Sequence, residues 1–69
     1  MTEKELLYVE DAIGHEDSII AYLNDAIDGL EDESLVSFVK SEVRKHENLR
    51  SKLLATLKEC ANDWSIYNG

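Results

Sequence analysis

Along the first half of this chain, apolar residues return at alternating intervals of three and four: Leu6, Val9, Ile13, Ile20, Leu23, Ile27 and Leu30, with Glu16 in the one polar place of the series. Such positions fall on a single stripe only in an α-helix, where about 3.5 residues bring the chain back to the same side of a packed partner. Ala12, Ile19 and Ala26 widen the stripe on one side. A face of that width is more than one neighbouring helix covers, so the pattern suits a helical bundle better than a two-stranded coil. The second half repeats the pattern with Leu35, Val39, Glu42, His46, Leu49, Leu53 and then Thr56 or Leu57, flanked by Val36, Val43 and Leu57.

The punctuation between these stripes is local. Thr2-Glu3-Lys4-Glu5 has the form of a capping box, in which hydroxyl and carboxylate each take a backbone amide of the other residue. Asp28-Gly29 is a stop signal, with Gly29 expected in the left-handed conformation that commonly ends a helix. Glu31-Asp32-Glu33-Ser34 then offers caps and negative charge to the start of a second helix. The reading is one all-α domain over residues 1–69: a helix over about 3–28, a turn over about 29–33, a helix over about 34–62, and a short tail. Trp64, Ile66 and Tyr67 in that tail are expected to close an open end of the core.

So short a connection makes the helices antiparallel. Residues whose numbers total about 62 then lie at one level, given equal rise along both helices. Ile27 faces Leu35, Leu23 faces Val39, Ile13 faces Leu49 and Val9 faces Leu53. Glu16 faces His46 and Ile20 faces Glu42, which gathers the polar seam residues at a single level.

A chain of 69 residues gains little from its own core, roughly 3–5 kcal/mol, without a disulfide, a metal or self-association. The single cysteine, Cys60, excludes an intramolecular disulfide. The expectation is an antiparallel two-helix hairpin that pairs with a copy of itself into a four-helix bundle. A net charge of −8 argues against nucleic acid as a partner, since that binding needs basic residues to displace counterions. The charge is uneven: residues 1–34 hold eleven acidic side chains and one lysine, residues 35–69 four acidic and six basic. Two compatible readings follow: each half presents a solvated face of its own sign, and the acidic half lies beside the basic half; an acidic face also suits a basic protein partner. No apolar run approaches the roughly 18 residues of a membrane span. The start is not that of a secretory signal, and with one free cysteine the expected setting is cytoplasmic.

Ionised carboxylates in a core are costly unless paired or bound to a cation. Glu42 and His46 are four residues apart and share a helix face. Two paired hairpins would bring two copies of Glu16, Glu42 and His46 together, four carboxylates and two imidazoles. Ala12-Ile13-Gly14-His15-Glu16, then Ile19-Ile20-Ala21-Tyr22, then Phe38 and Ser41-Glu42-Val43-Arg44-Lys45-His46-Glu47-Asn48-Leu49 resemble the ferritin-like superfamily of di-iron carboxylate proteins. Within it the length and tail are similar to the small spore-coat-F-like and rubrerythrin-like branches. The resemblance spans about residues 8–57 and implies a bundle with one Glu from each of two helices and a Glu-x-x-His from each of the others. Glu16 matches the lone glutamate and His46 the motif histidine, but Val43 stands where the motif has its glutamate, three before His46.

Three readings of the polar layer stay open. Glu16, Glu42 and His46 hold a divalent metal, iron or manganese by the mixture of oxygen and nitrogen donors; or they only fix register, at some cost in stability; or they take another ligand. On the second reading the protein is a metal-free structural or interaction module, coat-type or an acidic adaptor. Whether it is an enzyme stays open, and no nucleophile–base pair or phosphate loop is present. Asn24–Leu35 has the length of a calcium loop, but Ala26 and Leu35 occupy ligand places, so it is not one. Cys60 reads as a small buried hydrophobe. His15 reads as a half-exposed ring at a subunit boundary, and Gly14 either as a close-approach point or as a surface glycine.

Overall fold

The first helix begins as its residues require. In the computed structural model Thr2 is extended (φ −75°, ψ 162°) and its Oγ1 accepts the Glu5 amide at 3.1 Å. The Thr2 amide in turn donates to Glu5 Oε1 at 2.9 Å. The bond from the Thr2 amide, and then the Thr2 hydroxyl, hold the Glu5 carboxyl below the usual glutamate range. From this box α1 runs over Glu3–Gly29.

Its end differs from the expected left-handed glycine. No described residue has positive φ, and Gly29 is the last residue of the helix itself. The chain leaves through Leu30, which is extended (φ −94°, ψ 137°) and donates its amide to the Ile27 carbonyl at 3.2 Å. Leu30 turns its side chain back to a half-buried position, so an ordinary extended residue makes the reversal. Gly29 contributes only its poor helix propensity. Asp32 then caps the second helix, its Oδ1 accepting the Leu35 amide at 3.0 Å.

α2 runs over Glu33–Asn68 rather than ending near residue 62. No proline or glycine lies between Leu30 and Asn68 to stop it. The structure describes the backbone of residues 1–68 and the side chains of residues 1–59. The expected closure by Trp64, Ile66 and Tyr67 therefore falls outside the described side chains.

The two helices pack against each other along α1 in a molecule 53 × 15 × 13 Å. α1 turns inward the stripe read from its sequence: Leu6, Val9, Ile13, Glu16, Ile20, Leu23, Ile27 and Leu30 are all buried or half-buried. α2 is rotated from the expected stripe. Val36, Val39, Val43, His46, Arg50, Leu53 and Leu57 face α1, again at intervals of three and four. Leu35 and Leu49 are left 51% and 44% exposed. The reason is that α2 carries two apolar stripes sharing Val39, His46 and Leu53, and one partner helix can take only one of them. Arg50 fits the chosen stripe because its aliphatic stem lies along the seam while its guanidinium reaches Asp17.

This pairing shields little. Among the described residues only Val43 and Glu16 are buried, at 8% exposure each, and no side chain is fully enclosed. Gly14 is a surface glycine: a methyl group there would meet nothing within 4 Å.

Candidate functional site

The most buried ionisable residue of α1 meets the histidine expected opposite it. Glu16 Oε2 lies 2.5 Å from His46 Nδ1. An ionised carboxylate only accepts, so opposite one Nδ1–H is the donor. Nε2 is the ring nitrogen that Glu16 does not engage. The Glu16 side chain is 11% exposed and that of His46 29%, so the bond is largely withdrawn from water on the α1 side. No buried side-chain nitrogen or oxygen among the described residues lacks a partner.

Glu42 stands apart from this pair. It is half-buried on α2, and its Oε1 accepts from Lys45 Nζ at 3.0 Å, a contact one turn along the same helix. Within one chain, then, two of the three expected site residues come together and the third is turned toward a lysine. Among the described residues no group of three or more His, Cys, Asp or Glu gathers closely enough to hold a metal ion. Val43 occupies the inward position beside His46 that the glutamate would need, which sends Glu42 to the flank.

The two flanks of the hairpin differ in chemistry. On one, Asn24 and Asp28 of α1 and Lys40, Arg44 and Glu47 of α2 line an open groove of about 380 Å³ floored by Ile27 and Val43. The Asp17–Arg50 ion pair also joins the helices here. Of the two arrangements the charge pattern allowed, the acidic half beside the basic half is realised at this contact. The sequence reading missed Arg50, because a charged residue was not expected on the seam.

The opposite flank is apolar and open. Helix geometry puts Tyr8, Ile19 and Tyr22 of α1 on the side away from that groove, together with Leu35, Phe38 and Leu49 of α2. All six are exposed, Tyr22 by 76% and Phe38 by 62%. Lys4 Nζ lies 6.0 Å from the centre of the Tyr8 ring, at the outer range of a cation–π contact. Glu42 and His15 are on this same side. Large apolar side chains gathered on one exposed side mark protein, membrane or ligand contact surfaces when they form a patch.

No helix among the described residues is long and apolar enough to cross a membrane. Comparison with family models, with curated proteins and with solved structures found no match.

Proposed function

We propose that this chain is a self-pairing half-bundle, a metal-free structural or interaction module in which the Glu16–His46 pair fixes how the helices align. The observation that carries the reading is the open apolar flank beside a core in which, among the described residues, only Val43 and Glu16 are buried. Burying apolar area is worth about 25 cal/mol per Å², so covering six large side chains on each copy supplies what one hairpin lacks. The four-helix, ferritin-like bundle is part of this proposal, as is a cytoplasmic setting, which rests on the single cysteine. The test is to place charge on the flank. The double variant Phe38→Glu, Leu49→Glu should stay helical but run as a monomer with a lower melting temperature. A variant that keeps the parent's mass and stability would remove the apolar flank from the proposal.

A second reading has its own support. Glu42 and His46 stand one turn apart, and Glu42 is on the flank that pairing would cover. In a dimer both copies of Glu16, Glu42 and His46 would approach one another, and iron or manganese suits that donor set. Glu16 would then orient His46 through Nδ1 while Nε2 meets the ion, an arrangement common among metal-bound histidines. Adding ferrous or manganous ion should raise the melting temperature, since a ligand of the folded state stabilises it. The effect should fade at low pH and vanish when all three residues are leucine. No response at millimolar ion and neutral pH leaves the metal-free module standing alone.

A further inference from the structure

We infer that the second copy covers the apolar flank with its turn at the same end of the bundle, so that each α1 lies beside the partner's α2. The inference rests on the self-pairing just proposed and adds its geometry. Two hairpins stacked flank to flank have two symmetric solutions. A two-fold axis parallel to the helices puts α1 next to the partner's α2, with both turns at one end. An axis across the helices puts α1 next to the partner's α1, with the turns at opposite ends.

Charge separates the two. α1 carries eight acidic side chains against one lysine, a net of −7, whereas α2 carries five acidic against six basic, a net of +1. Adjacent helices in a bundle lie about 8–10 Å apart, close to one Debye length, which is roughly 8 Å in physiological salt. Diagonal helices lie about 1.4 times farther, roughly 11–14 Å, where distance and screening together weaken the interaction further. The same-end arrangement puts the two acidic helices on the diagonal and gives each a basic neighbour. The opposite-end arrangement puts them side by side. Within the hairpin α1 already meets α2 through Asp17 and Arg50, and the same complementarity extends to the partner.

The levels of the side chains agree. A parallel axis keeps every residue at its own height, so residues whose numbers total about 62 stay opposite across the interface as well. Glu16 and His46 keep that rule within the chain. It brings Tyr22 beside the partner's Phe38, and Asp11 level with the partner's Lys52. It also puts both Glu16–His46 pairs in one layer wherever the axis falls. The crossed axis aligns them only if it passes through that layer.

The test is a distance between turns. Glu31 is exposed in the connection, so Glu31→Cys in a Cys60→Ala background carries a spin label without touching the seam. The same-end arrangement gives a label separation of about 25 Å or less, from helix spacing plus label length. The opposite-end arrangement, with polar layers aligned, puts each turn about 22 Å from the axis at 1.5 Å per residue, hence roughly 45 Å between labels. A short distance bears the inference out, and a long one overturns it while keeping the dimer. A single-chain mass by light scattering, with no dipolar coupling, overturns the self-pairing itself and assigns the flank to a different partner.

Discussion

Glu16 and His46 each have a reason to be on the seam only while the other is there. Removing the carboxylate leaves a half-buried imidazole without its acceptor, at about 1–3 kcal/mol. Removing the imidazole leaves the more buried carboxylate without its donor, at the upper end of about 1–3 kcal/mol. Replacing both with leucine removes the polar cost and gains apolar contact, so the double variant should be at least as stable as the parent. Urea midpoints of Glu16→Leu, His46→Leu, the pair and the parent, at one protein concentration, should therefore be strongly non-additive. Additive losses would show that the 2.5 Å contact does not couple them. This pair was legible in the sequence because Glu16 is the one polar interruption of an otherwise apolar series, and antiparallel geometry names its opposite. Val43 and Glu42 were not. Two stripes on α2 keep the same spacing, and choosing leucine at 49 over arginine at 50 selected the wrong one. Nothing in the spacing reveals that Arg50 can lay its stem along the seam and end on Asp17.

At the level of elements, the helix starts could be read and the ends less well. Starts are written by side chains that bond the first amides, and both Thr2 and Asp32 do so. An end is written by what breaks the helix. Gly29 was given a left-handed role that extended Leu30 makes unnecessary, and α2 runs to Asn68 for want of any breaker. The capping box has a pH signature. Glu5 titrates below its unfolded value, so the folded state favours its ionised form. Its contribution is present above the ordinary glutamate range and lost as pH falls through the lowered value. A carboxyl NMR titration should put the Glu5 midpoint below those of exposed glutamates, and the Glu5 and Thr2 amides should lose protection over the same interval. In Glu5→Gln that loss of protection should be absent. A Glu5 midpoint equal to the others would mean the box does not persist in solution.

For the molecule as a whole, the sequence already implied more than one hairpin. The apolar stripe of α1 is wider than one helix can cover, and Ile19 stays exposed on its outer edge. α2 has a stripe to spare, with Leu35, Phe38 and Leu49 outside. The excess of both helices lies on the flank away from the charged groove, which makes it one surface. In the proposed bundle a second copy covers that surface. Light scattering of the parent protein across micromolar concentrations, with thermal unfolding on the same samples, reports whether it does. Self-pairing gives twice the chain mass of 7.8 kDa and a melting temperature that rises with protein concentration. A single-chain mass, with a melting temperature that does not depend on concentration, would contradict it.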